Sequence, residues 1–207
     1  MANKNPSAWQ RLVFKNRGLL LVPIAVVLLA FGRPTLESAI VGIAVAVCGE
    51  LVRIWAVGYS GVTTRADIVT APTLVTAGPY SRMRNPLYVG NTIIALGFWI
   101  AFSGASGLAA TLLMLVVVAA LVVGVYATII PLEEAYLEGQ FGKPYRLYKE
   151  KVPRIVPARP LKKQEQQGFW RREVLLRAEV ITLSYFLLMV VLVILKTGPL
   201  RGYTLGL

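Results

Sequence analysis

The chain has no histidine, a single cysteine and few charged residues, and each shortage closes off a class of chemistry. Without imidazole, the commonest general base and the commonest metal ligand are both missing, so no metal site is expected. Cys48 stands alone in an apolar run, which excludes an internal disulfide and a CxxC pair; it reads as a small buried hydrophobe. Charged residues make up 15% of the 207 positions against 56% hydrophobic ones, and the mean hydropathy is +0.63. Soluble domains of this size rarely reach that balance.

Acidic residues are scarcest, 10 against 22 basic ones, for a net charge of +12. The basic residues are not striped along a face but gathered between apolar runs. Anionic lipid head groups and membrane orientation select that distribution, and nucleic-acid binding is not expected.

The apolar runs fall at 18–32, 38–59, 89–103, 108–131 and 178–196. A span needs roughly 20 residues to cross the hydrocarbon, so the pattern predicts an all-α polytopic membrane bundle of about five helices, a single domain over 1–207. Only the small residues from Ser103 to Gly107 separate the third and fourth runs, which predicts a tight helical hairpin over 89–131. The basic N-terminus (Lys4, Arg11, Lys15, Arg17) superficially resembles a signal peptide, but no small-residue cleavage site follows Phe31, so the first run reads as a retained span. With the N-terminus inside, 18 of the 22 Lys and Arg residues face the cytoplasm, and the C-terminus lies outside. Every long polar segment then faces the cytoplasm, as expected for the cytoplasmic membrane of a prokaryote. Within the second run, Glu50 and Arg53 are spaced to meet on one helix face, either as a structural ion pair or as a functional one.

Two polar segments carry the candidate chemistry. The first reads Thr76-Ala-Gly-Pro-Tyr80-Ser-Arg82-Met-Arg84-Asn85-Pro86-Leu-Tyr88-Val-Gly90. Pro86 favours the first turn of a helix, whose open amides, beside Arg82 and Arg84, form a possible anion site. The second segment places Glu133 and Glu134 where the fourth run ends, followed by Phe141-Gly142, Tyr145, Tyr148 and Val152-Pro153-Arg154. By pattern alone the two carboxylates could simply charge the start of a surface helix, and the tyrosines could be interfacial aromatics.

Together the segments resemble the membrane methyltransferase family that includes isoprenylcysteine carboxyl methyltransferases and phospholipid N-methyltransferases. The matching residues are Gly78, Tyr80, Arg84, Asn85, Pro86, Tyr88 and Gly90, then Glu133, Glu134, Phe141, Gly142, Tyr145, Tyr148, Val152, Pro153 and Pro157. The stretch from Gly49 through Arg53 to Trp55 is similar to the family's second span. The resemblance covers about 49–157 and implies a cofactor-binding core there, with the span at 178–196 as an addition. It implies an S-adenosylmethionine pocket at the cytoplasmic membrane surface, with a lipid-bearing acceptor arriving sideways from the bilayer. No Gly-x-Gly-x-x-Gly follows a strand pattern, so a soluble dinucleotide-type fold is absent.

Methyl transfer from a sulfonium needs no acid for its neutral leaving group, so missing histidine is no objection; it needs collinear placement in a dry site. On that chemistry Arg84, Glu133 and Arg154 are the candidate catalytic residues, Arg84 orienting a carboxylate and Arg154 closing the pocket. Tyr80, Asn85, Pro86, Tyr88, Gly90, Glu134, Tyr145 and Tyr148 are the candidate cofactor-binding set. The favoured acceptor is an isoprenylcysteine-like carboxylate. Isoprenylcysteine enzymes, however, carry histidine where Asn85 stands, and eukaryotic members have an arginine shortly before the glutamate pair, where this chain has Ile129 to Leu132. A phospholipid amine, with a tyrosine or Glu133 as base, and a small thiol or lipid are the alternatives. A sterol-reductase reading would require a much longer chain, and an accessory scaffold protein is the non-enzymatic reading. The stretch 158–177 reads as a basic connector with Phe169 and Trp170 at the interface.

Overall fold

The computed structural model describes residues 22–61 and 71–198, and no strand occurs among the described residues. The basic N-terminal residues and positions 18–21 of the first expected span lie outside them. Among the described residues five apolar helices are present: α1 (Val22–Phe31), α2 (Leu36–Ser60), α3 (Pro86–Ser103), α4 (Leu108–Phe141) and, after two short helices, α7 (Val180–Thr197). α5 (Lys143–Lys151) and α6 (Arg172–Ala178) are the short ones. By length and composition α2, α3, α4 and α7 can each cross a membrane, and α1 is apolar with 10 described residues. The chain is an integral membrane protein with a helical bundle, as its apolar runs predict.

Local chemistry explains where the helices start and stop. α2 begins at a capping box in which Thr35 and Ser38 each bond the other's amide, at 3.0 and 3.2 Å. α3 begins at Pro86, three residues before the apolar run, because proline needs no partner for a missing amide at the first turn. α4 differs more from expectation. It runs unbroken for 34 residues to Phe141, through Pro131, so Glu133 and Glu134 sit on the same helix as the span rather than opening a separate surface helix. At about 1.5 Å per residue such a helix is about 50 Å long and overshoots a hydrocarbon layer of roughly 30 Å. Pro131 removes one backbone hydrogen bond, which a long helix tolerates. The last apolar run splits at Glu179, which separates α6 from α7.

Buried Leu28, Phe98, Phe102, Met114, Ile129 and Phe186 form the main core, while large apolar side chains such as Val116, Val123 and Leu187 point outward, as lipid-facing positions do. Cys48 is also exposed on α2, contrary to the buried position expected of it; an outward site in a lipid-facing helix suits a small apolar side chain equally well. α2 and α3 approach closely through glycines. A Cβ on Gly49 would lie 2.7 Å from the Gly90 carbonyl oxygen, and one on Gly97 would lie 2.5 Å from the Ala46 nitrogen.

Candidate functional site

The end of α4, the turn before α3 and the segment after α5 meet at one carboxylate. Glu134 is 4% exposed. Its Oε1 accepts from Arg84 Nε at 3.0 Å, from Asn85 Nδ2 at 3.2 Å and from Arg154 Nε at 3.2 Å. Its Oε2 accepts from Arg154 Nε at 3.1 Å and Nη2 at 2.7 Å. Two guanidiniums therefore share one carboxylate. They differ in exposure, with the Arg84 side chain 9% exposed and that of Arg154 48% exposed.

Arg84 also ties backbone to backbone, since its Nη1 donates to the carbonyls of Lys149 at 3.0 Å and Val152 at 2.6 Å. Asn85 precedes α3 but does not cap it with its side chain; its amide instead reaches Glu134 and the Arg154 carbonyl. Forgoing a cap costs about 1 kcal/mol. The backbone amides of Arg84 and Asn85 donate to Pro153 and Arg154 carbonyls, so they are already engaged just ahead of the expected anion site.

The segment after α5 forms a strap running antiparallel to residues 76–85. Ala158 donates to Arg82, Leu161 to Ser81, and Thr76 and Ala77 both donate to Gln167. Its far end is anchored where the Arg171 amide donates to the Gly58 carbonyl and the Trp170 indole lies on Gly58, where a Cβ would come within 1.9 Å of the ring nitrogen. The connector expected at 158–177 is thus a clasp over the C-terminal end of α2, with Phe169 exposed and Arg171 over its ring at 5.6 Å.

Beneath the cluster, Tyr145 and Tyr148 are buried and tilted against each other at 5.9 Å. The Tyr148 hydroxyl donates to the Tyr80 carbonyl at 2.7 Å, so Tyr80 contributes its backbone here. Burial pushes both phenols above their ordinary range, and the Glu134 charge adds to the effect at Tyr145. Both are donors or walls at neutral pH rather than bases. Tyr88 projects from the first turn of α3; its hydroxyl donates to Glu133 at 2.7 Å and its ring packs on Tyr126 at 4.6 Å.

Of the sequence candidates, Arg84, Asn85, Glu134 and Arg154 come together at one carboxylate, with Tyr80, Tyr145 and Tyr148 beneath and the Tyr88–Glu133 pair alongside. Pro86 starts α3, while Gly90 lies against α2, its added Cβ falling 2.7 Å from Arg53 Cγ. Sequence reasoning missed Asn91 and Glu179. Arg53 Nη2 donates to both oxygens of Glu179 at 3.0 Å, and its Nη1 donates to Asn91. Arg53 and Glu50 do meet, Nε to Oε2 at 3.4 Å, as their spacing predicts. An acid at the start of the last apolar run was the available signal for a partner to the intramembrane arginine.

The chain is a helical membrane bundle whose polar residues gather at one end of two hairpin helices and in the strap after them. The chain matches the family model for phospholipid methyltransferases over residues 38–144, just over half its length, and it belongs to that family. The match includes Glu50, Arg53, Arg84, Asn85, Tyr88, Glu133 and Glu134, and stops just before Tyr145. Compared with curated proteins and with solved structures, the chain matches none. Among the described residues, no group of three or more metal-binding acids or cysteines occurs.

Proposed function

We propose that the chain transfers a methyl group from S-adenosylmethionine to the head of a lipophilic acceptor that reaches the site from the bilayer. The observation that carries this reading is the surplus of guanidinium at Glu134: Arg84 and Arg154 share one carboxylate, and Arg154 remains half exposed. That donor set fits the amino-acid end of the cofactor. Arg154 offers a planar fork to its carboxylate. When bound, the sulfonium supplies an electrophilic methyl group and departs as a neutral thioether.

The remaining work falls to the chain. Arg84, held by Glu134 and by the carbonyls of Lys149 in α5 and Val152 just after it, positions the cluster rather than touching the acceptor. The buried, protonated Tyr145 and Tyr148 keep water from the cluster's underside. Glu133 is the base that takes a proton from an amine before it can attack.

The acceptor head is read as an amine, supported by the family match and by Asn85 in the position where isoprenylcysteine enzymes carry histidine. A prenylcysteine-like carboxylate is the second reading, because the family that the two segments resemble also includes isoprenylcysteine enzymes. The excess of Lys and Arg in the segments that carry the site supports a cytoplasmic-facing site with the N-terminus on the same side.

The test is methyl transfer by purified protein from S-adenosylmethionine to aminophospholipid vesicles and, separately, to a prenylcysteine analogue. Methylated amine is the expected product. Turnover on the carboxylate alone selects the second reading, and turnover on neither, by protein that binds the cofactor, removes both acceptors.

A further inference from the structure

A second polar group lies inside the membrane layer, away from the Glu134 cluster. Glu50 is 4% exposed at the middle of α2, and among the described residues neither of its carboxylate oxygens receives a hydrogen bond. Its nearest cation, Arg53, gives Nη2 to both oxygens of Glu179 and Nη1 to Asn91, while its Nε, which makes no hydrogen bond, stands 3.4 Å from Glu50 Oε2 as an ion pair. One guanidinium thus faces two carboxylates, leaving a local surplus of negative charge in a low-dielectric layer, where such a surplus is costly.

Glu50 is one of the residues lining a chamber of about 180 Å³ between α1, α2, α3, α4 and α7, its carboxylate oxygens buried in the wall. Leu28, Ile94, Phe98, Phe186 and Met189 give it apolar walls, and Asn91 and Tyr185 add polar points, Tyr185 being well exposed on the outer surface of α7. The chamber also borders the site already described. Tyr126 in its wall packs at a tilt against Tyr88, whose hydroxyl bonds Glu133.

We infer that this chamber is a binding site for the ammonium head of an aliphatic amine, with Glu50 as its counter-charge and the apolar walls holding the first carbons of the chain. An ammonium brings one positive charge and up to three donors, which is what Glu50 and its surroundings lack. A carboxylate head would add a third negative charge, and a neutral alcohol would leave the surplus in place. The binding stands on this geometry alone; the role of the site, holding an amine acceptor beside Glu133, rests on the methyl-transfer reading.

The experiment uses the full chain in phosphatidylcholine nanodiscs with an octadecylamine carrying a photoreactive diazirine, and with the matching fatty acid. The amine is expected to label the peptides carrying Ile94 and Met189, and the acid to label them weakly. Glu50→Gln should cut amine labelling about tenfold, the worth of one charge-assisted hydrogen bond. Ala95→Leu, which fills the chamber and leaves Glu50 intact, should cut it as well, and so keeps the test decisive should Glu50→Gln fail to fold. Equal labelling by amine and acid, or labelling unchanged in folded Glu50→Gln or in Ala95→Leu, overturns the inference. Calorimetry with S-adenosylmethionine on the same samples separates the two claims. Amine labelling without cofactor binding upholds the chamber and defeats the methyl-transfer reading, whereas cofactor binding without selective labelling does the reverse.

Discussion

Arg154 donates to both oxygens of Glu134, at 3.1 and 2.7 Å, and so fastens the strap after α5 to the end of the longest membrane helix. Arg84 holds the same carboxylate from the turn before α3. Three chain segments remote in sequence are therefore joined through one side chain.

The two arginines differ in what they contribute, and Glu134→Ala brings out the difference. With Glu134 gone, the Arg84 guanidinium stays buried without its carboxylate, a loss of about 3 kcal/mol. Arg154→Ala removes a half-exposed partner and should cost at most about 1 kcal/mol. Denaturation of both variants in mild detergent checks the order, and equal costs would mean that Arg84 finds another partner.

Tyr145 and Tyr148 give a pH dependence whose sign is fixed by burial. Their folded-state values lie above the unfolded phenol's, roughly 10. Folding therefore favours the protonated form, and the contribution is complete below about pH 10 and fades as pH climbs toward the raised folded values. Melting temperature should be flat on this account from pH 7 to 9 and fall above 10, with a smaller fall in Tyr148→Phe. That variant also loses the bond to the Tyr80 carbonyl, about 1 kcal/mol at neutral pH. An unchanged alkaline slope in both Tyr148→Phe and Tyr145→Phe would show that other groups set it.

The α2–α3 contact should be intolerant of any added carbon. Gly49→Ala places a Cβ against the backbone of Gly90 and Ile94, which cannot swing aside, and is expected to cost about 1–3 kcal/mol. Gly124→Ala, with open space around it, serves as the control and should leave stability unchanged or slightly raised. Similar melting temperatures for the two variants would argue against the close helix approach.

The strap is held at its end by Trp170 on Gly58 and by the Arg171 amide. Trp170→Ala should speed proteolysis within 158–171 while the spans stay protected, because it removes the aromatic anchor and leaves the backbone bonds to residues 76–82 exposed to fraying. Unchanged cleavage would assign the anchoring to the backbone bonds alone.

Much of this was legible in the chain. Long apolar runs and gathered basic residues specify a membrane bundle because a backbone in lipid must bond to itself. Arg84, Asn85, Glu134 and Arg154 could be named because two segments matched a family pattern, but not that all four would meet at one oxygen pair, since that depends on how the strap folds back. The run of α4 through Pro131 was hidden because a proline near a polar stretch usually marks a boundary. Glu179 escaped notice for a different reason. It stands within an apolar run, where its partner Arg53, 126 residues away, cannot be read from spacing.

The central claim is that the Glu134 cluster holds S-adenosylmethionine, and calorimetric titration of the purified protein tests it most directly, with Arg154→Ala as the variant that should fold. The account predicts saturable binding by the unmodified chain, weakened at least about tenfold in Arg154→Ala by loss of a charge-assisted contact. Folded protein that takes up no S-adenosylmethionine, or a variant that binds it equally well, would contradict it.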